Sequence, residues 1–275
     1  MTRARTYPLG VTCWVDVESP DVEATKQFYA GLLGWTFTRA TPPEAPFQYA
    51  IAELDGQDAA GVGGPADSAW NTYVAVDDID AAVLSVARAG GSVVSPPADA
   101  GEGGRAAACA DPLGVQFRLW QANQRLGAQV TNVPGAWNFS DLYAADPEDS
   151  ARFYGEVFGW QFDDLGFATM IRVPGYGDHL ASTTDPDIHE RQSGAGVPPG
   201  FADAIGWLSP AHGGREPGWH VTFTVDDRDE VAAGAESLGG RVADREDTDW
   251  TRIAVILDTQ GAQFTASEFT PPERG

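Results

Sequence analysis

Cysteine is scarce in this chain of 275 residues, with only Cys13 and Cys109 present. Two cysteines cannot make a disulfide scaffold, and a chain of this length does not need one. Both sit in apolar, strand-like stretches, VTCWVDV and AAACADP, where reduced core thiols are expected. Long apolar runs are absent too. No stretch reaches 18 apolar residues, so no membrane-spanning helix is expected. The opening MTRARTYPLG has charge but no apolar signal core, which makes cytoplasmic the expected location. Basic residues are few: 17 Lys and Arg against 40 Asp and Glu, a formal net charge of −23. Such a surface repels phosphate groups, so neither nucleic acid nor anionic membrane is an expected partner. The acidity reads first as a solubility device and second as substrate steering.

What remains is a folded chain: 43% hydrophobic and 21% charged, long enough for two domains with cores. It repeats itself. FYAGLLGW (28–35) returns as FYGEVFGW (153–160), and Asp21/Asp146 and Glu23/Glu148 keep the same offset of 125. Each echo begins with alternation, Thr12/Trp14/Asp16 and Trp137/Phe139/Asp141 on one side, which predicts a strand. Asp146-Pro147, with Ser19-Pro20 in the first copy, predicts a helix start, and Gly34 and Gly159 predict helix stops. A second pair of echoes follows. NTYVAVDDIDAAVLSVARAGGSVV (71–94) matches WHVTFTVDDRDEVAAGAESLGGRV (219–242), and the turn DPLGVQF (111–117) matches DTQGAQF (258–264). The expectation is an α+β chain of four βαβββ modules near 11–62, 71–121, 136–183 and 219–270. Two modules make a first domain over 8–121 and two a second over 136–270, joined by a linker at 122–135.

One segment breaks the symmetry. Residues 185–218, DPDIHERQSGAGVPPGFADAIGWLSPAHGGREPG, separate modules three and four by far more than the gap between one and two. FADAIGWL carries Phe201, Ile205, Trp207 and Leu208, an apolar group costly to leave in water. The expectation is a lid-like insertion with a short docking helix; a plain surface insertion or a dimer contact are the alternatives.

The modules, the FY…GW helix, the VDD-helix-GG block and the DPxG turn resemble the vicinal oxygen chelate superfamily of glyoxalases, bleomycin-resistance proteins and extradiol dioxygenases. WNTYVAVDD and LWQAN resemble its tandem two-domain glyoxalase-like members. The resemblance spans residues 10 to 270. It implies two open, trough-shaped sheets, and in metal-dependent members a divalent ion on His, Gln or Glu at inward positions of the first and last strand of each module. Carried over residue by residue, these positions are Trp14, Ala60, Asn71 and Arg118 in the first domain, a set unable to hold a divalent ion. In the second they are Phe139, His220 and Thr265, with His179 or Ala181. No cofactor is therefore expected, and a divalent metal, if one binds at all, belongs to the second domain on His179 and His220. The alternative for these histidines is that His220 lines the trough and His179 caps a β-turn.

Without a metal the first trough would present Trp14, Asp16, Asn71, Tyr73, Arg118 and Trp120, flat apolar walls with a few directional polar groups, which suits a small molecule. A mutual Asp16–Arg118 pair among core aromatics is the other reading. The second trough would present Phe139, Asp141, His179, His220 and Thr222, with Trp207 from the insertion. There Asp141 and His220 could serve as an acid–base pair. Two functions follow: a binding protein for a flat apolar or aromatic ligand, favoured narrowly, or an enzyme centred on the second domain, metal-free through Asp141/His220 or metal-assisted through His179/His220. The expected partner is a small molecule, and the chain is expected to be a monomer or homodimer.

Overall fold

Fourfold repetition in sequence becomes fourfold repetition of elements. The computed structural model describes residues 4–64, 68–166, 168–193, 197–211 and 215–270. Module one is β1 (Thr12–Glu18), α1 (Val22–Leu33), β2 (Thr36–Arg39), β3 (Tyr49–Leu54) and β4 (Gln57–Gly63). Module two is β5 (Ala69–Ala75), α2 (Ile79–Arg88), β6 (Ser92–Asp99), β7 (Gly104–Ala110) and β8 (Gln116–Ala122). Module three begins with β9 (Trp137–Ala144), α3 (Pro147–Phe158), β10 (Gln161–Asp164) and β11 (Thr169–Arg172). Two short helices, α4 (Tyr176–Thr183) and α5 (Ile188–Arg191), then precede its last strand, β12 (Ala204–Pro210). Module four is β13 (Gly218–Thr224), α6 (Arg228–Ser237), β14 (Arg241–Asp247), β15 (Thr251–Leu257) and β16 (Gln263–Phe269). The strands form two open, mixed, eight-stranded sheets, ordered β2-β3-β4-β1-β5-β8-β7-β6 and β10-β11-β12-β9-β13-β16-β15-β14.

Local chemistry sets the helix limits. Asp146 accepts hydrogen bonds from the amides of Glu148 and Asp149, with Pro147 at the first helical position. In the first copy the capping residue is Asp21, not the expected Ser19. Asp21 accepts from the Ala24 amide, while Ser19 Oγ accepts from the Asp21 amide. Gly34 (φ 73°) and Gly159 (φ 71°) end α1 and α3 in the left-handed conformation, which only glycine enters without a Cβ penalty.

Compact packing divides the chain differently from the sequence repeat. One unit gathers Met1–Cys13, Thr72–Gly127 and Ser140–Trp219, and the other gathers Trp14–Asn71, Ala128–Phe139 and His220–Gly275. Modules two and three thus share one core, and modules one and four share another. The FY…GW echo is the centre of each. In the first unit Tyr154 stacks on Trp160 at 5.0 Å and meets Trp219 edge-on at 5.6 Å, with Phe117 at 5.6 Å. In the second, Tyr29 stacks on Trp35 at 5.3 Å and meets Trp70 edge-on at 5.4 Å, with Phe264 at 5.7 Å. Each such pair contributes roughly 0.5–1.5 kcal/mol beyond the apolar area it buries. The buried phenols are satisfied as well. Trp70 Nε1 donates to Tyr29 Oη, which donates to Asp258 Oδ2; Trp219 Nε1 donates to Tyr154 Oη.

The largest departure from expectation lies at 173–210. FADAIGWL is not a docking helix: after one 3-10 turn at Phe201–Asp203 it forms β12, paired antiparallel with β11 and parallel with β9. Module three therefore ends at Pro210. Where its last strand was expected, α4 stands instead, because Tyr176 and Leu180 recur at helical spacing and both are buried. The inserted chain falls before β12, not after it. Residues 194–196 and 212–214 of the expected insertion lie outside the described residues.

Candidate functional site

Strand alternation sorts the side chains of β5 and β8. Trp70, Thr72, Val74, Phe117 and Leu119 are buried on one face, while Asn71, Tyr73, Arg118 and Trp120 are half-buried on the other. On β1 both faces are buried. Asp16 is only 2% exposed, so its carboxylate must be hydrogen-bonded inside the protein. Within the second unit it is. Tyr49 Oη donates to Asp16 Oδ2 at 2.9 Å, and Asn71 Nδ2 donates to Oδ1 at 3.0 Å. Trp14 Nε1 in turn donates to Tyr49 Oη at 3.1 Å. Trp14, Asp16 and Asn71, expected together, are together.

The residue that ties them, Tyr49, was not expected. It lies on β3, beyond the long TPPEAPF loop, and carries no repeat signal. Its place is made by Gly61 on β4, which stands opposite Asp16 in parallel register. A Cβ at Gly61 would sit 1.9 Å from Tyr49 Oη and 2.9 Å from Asp16 Cβ.

In the first unit Tyr73 stands opposite Arg118 in the β5–β8 register. The Tyr73 and Trp120 rings meet edge-on at 6.4 Å, and Trp120 Nε1 donates to the Arg125 carbonyl. That unit also holds part of the second sheet's expected set. On β9, Asp141 Oδ1 accepts from the Trp207 amide at 3.2 Å. Trp207 packs near the Phe201 ring at 6.0 Å. Tyr143, two residues along the same strand face, receives a hydrogen bond from Arg215, whose guanidinium lies 4.9 Å from the ring centre. Tyr143 was legible by alternation from Asp141; Arg215, in a Gly/Pro loop, was not. In the second unit His220 Nδ1 lies 3.1 Å from Gln263 Nε2, within hydrogen-bond reach. Thr222 stands opposite Thr265, both nearly buried, and Phe139 is half-buried.

His179 is a correction. It is on α4, not on a last strand or a β-turn, and its Nε2 lies 3.0 Å from both the hydroxyl and the carbonyl oxygen of Thr6. The position the resemblance assigns to module three's last strand, read from the β12–β9 register, falls at Trp207.

The donor chemistry of these positions does not suit a divalent ion. In the first sheet the β1–β4 register, which sets Gly61 opposite Asp16, moves the position expected at Ala60 to Gly61, so the set is Trp14, Gly61, Asn71 and Arg118: an indole donor, no side chain, an amide bound to a carboxylate, and a cation. In the second they carry Phe139, Trp207, His220 and Thr265, a single imidazole. Among the described residues no group of three or more His, Cys, Asp or Glu is placed to hold a metal. The thiols are equally remote from chemistry. Cys13 and Cys109 are fully buried, and burial pushes Cys109 up to about 11 and Cys13 higher still.

Comparison with known proteins adds kinship. A family profile described as glyoxalase/bleomycin resistance protein/dioxygenase superfamily matches residues 14–119, and one described as a glyoxalase-like domain matches 125–267. CFP32 of Mycobacterium tuberculosis, which carries the provisional name glyoxylase, is 33% identical over 99% of this chain and 100% of its own. The anthracycline biosynthesis protein DnrV of Streptomyces peucetius is 33% identical over 98% of this chain and 95% of its own. Among solved structures, the Mn(II)-bound glyoxalase of Novosphingobium aromaticivorans superposes with a TM-score of 0.59 at 17% identity, covering 98% of this chain and 85% of that one. At that identity the likeness speaks for the fold alone.

Proposed function

The chain belongs to the glyoxalase/bleomycin resistance/dioxygenase superfamily, and from that membership we propose that it binds a flat, largely apolar small molecule, with no divalent ion in its first sheet. The observation that carries this reading is the Trp14–Tyr49–Asp16–Asn71 network. It places neutral donors and an indole where metal-dependent members would need lone-pair ligands. Side chains locked to one another in this way present a fixed apolar wall with a polar floor, at little ordering cost on binding. Tyr73 and Trp120 offer a second aromatic face within the other unit. The kinship with DnrV favours a polycyclic aromatic ligand of the anthracycline type.

Tryptophan fluorescence tests it. An anthracycline and a panel of simpler aromatic compounds are titrated against the protein and against Trp14→Phe and Tyr49→Phe. The expected outcome is saturable quenching by at least one polycyclic compound, strongly reduced in Trp14→Phe. In Tyr49→Phe binding should weaken about tenfold, the worth of one net hydrogen bond. Absence of quenching across the panel overturns the proposal.

A second reading is favoured by one feature of the second sheet. Gln263 Nε2 lies 3.1 Å from His220 Nδ1 and holds the half-buried ring in one orientation, as a proton-transfer group requires. If the chain turns over the ligand that the fluorescence panel identifies, His220→Ala should lower the rate by two orders of magnitude or more, within the usual worth of a general acid–base group. Full activity in that variant removes the catalytic role.

A further inference from the structure

The carboxyl of Asp111 is buried with only half of its bonds made. Asp111 is 3% exposed, in the tight turn between β7 and β8. Its Oδ1 accepts from the amides of Leu113 and Val115 at 2.9 Å each, whereas its buried Oδ2 has no hydrogen-bond partner among the described residues. The internal repeat supplies a control. Asp258 holds the same place in the turn between β15 and β16 and is 4% exposed. Both turns are closed by the same backbone bond, Asp111 N to the Val115 carbonyl and Asp258 N to the Ala262 carbonyl. Asp258 Oδ1 likewise holds two turn amides, those of Gln260 and Ala262. Its Oδ2, however, accepts from Tyr29 Oη at 3.1 Å. Turn and depth are matched, and one donor is the difference.

No cation makes up for that donor: among the described residues Asp111 takes part in no ion pair. The neighbouring titratable groups are engaged elsewhere. Tyr154 on α3 faces it with a neutral phenol that accepts from Trp219, and Cys109 on β7 carries a thiol that burial pushes up to about 11. Arg118 on β8 lies on the sheet face opposite to the buried Phe117 and Leu119. On α2, Asp80 is held by Arg105, and Arg88 bonds its own helix. An ionised carboxylate in such a place is costly. A proton on Oδ2 removes the charge and leaves Oδ1 with both amides. Burial accordingly pushes this carboxyl above the ordinary range, against the pull of the turn amides.

We propose that Asp111 is a proton-operated catch: the turn between β7 and β8 is tight while Oδ2 carries a proton and loosens when Asp111 ionises. The proton is taken from solvent as the pH falls and returned as it rises. Strand β8 carries Arg118 and Trp120, so the catch reaches a wall of the candidate site. The sign follows from linkage. Unfolded, an aspartate titrates at about 3.9. A carboxyl raised in the folded state destabilises the fold above its folded value, and that cost is relieved as the pH falls toward the unfolded one. The gain in the folding constant is roughly tenfold for each unit between the two.

Carbon-13 NMR of the full chain, following the Asp111 carboxyl carbon with pH, tests it on the wild type. The midpoint should lie above that of an ordinary aspartate. Hydrogen exchange of the β8 amides, corrected for the intrinsic rate, should slow on going from about pH 7 to about pH 5. Asp111→Asn keeps an acceptor for the turn amides and cannot ionise. It should be at least as stable as the wild type in urea near neutral pH, the wild type should gain on it as the pH falls, and its β8 exchange should stay level. A wild-type midpoint at or below the ordinary aspartate value overturns the proposal. So does a folded Asp111→Asn less stable than the wild type near neutral pH, or β8 exchange that answers to pH alike in both proteins.

Discussion

The two tyrosines of the repeated FY pair show how one motif meets two environments. Tyr29 donates to Asp258 Oδ2 at 3.1 Å, and Asp258 Oδ1 holds the turn amides of Gln260 and Ala262. At the matching place in the other unit, Asp111 Oδ1 holds the amides of Leu113 and Val115, but its buried Oδ2 has no hydrogen-bond partner among the described residues. Burial pushes both carboxyls above the ordinary range. A Tyr-to-Phe change orphans a tryptophan N–H in either unit, since Trp70 and Trp219 donate to the two phenols. Only Tyr29→Phe also strips a donor from a buried carboxylate. It should therefore cost more than Tyr154→Phe, by about 1–3 kcal/mol in urea unfolding measured side by side. Equal costs would show that the Tyr29–Asp258 bond contributes nothing net.

Among the elements, β4 controls the candidate site through what it omits. Gly61 leaves the space that Tyr49 Oη fills, so Gly61→Ala must expel that hydroxyl from its bridge between Trp14 and Asp16. The expected outcome is a loss of about 1–3 kcal/mol of stability together with weakened ligand quenching, since Asp16 loses a donor while staying buried. A variant as stable as the wild type and with the same ligand affinity would mean that Tyr49 plays no part. Strand β12 teaches a related lesson. Its sequence, AIGWLSP, is apolar on both faces in the manner of an interior strand, and such short runs do not distinguish strand from helix by period. Its pairing with β9 and β11 settled the matter.

For the whole molecule, the tandem order of the family matches and the division into compact units have a consequence that can be measured. The core around Tyr29 and Trp35 draws Phe223 and Phe264 from the far end of the chain, and that around Tyr154 draws Phe117 from before the linker. Either half expressed alone exposes aromatic surface worth several kcal/mol at roughly 25 cal/mol per Å². Residues 1–124 alone should lack near-ultraviolet dichroism and bind a hydrophobic dye, and mixing with 125–275 should restore the native spectrum. An isolated half with a cooperative melt and native near-ultraviolet dichroism would show that each tandem repeat completes its own core.

Much of this was written into the chain itself. The repeat at an offset of 125, the aspartate caps, the left-handed glycines and the period-two strands are short-range features, so four modules and the superfamily could be read directly. The gathering of Trp14, Asp16 and Asn71 followed from strand alternation. Tyr49, Gly61 and the real place of His179 did not, because they depend on which strands become neighbours and on a helix interposed before β12. The pairing of modules two with three and one with four was hidden for the same reason. Local rules fix what each segment becomes, whereas the burial of one aromatic face against another is decided only when distant segments meet.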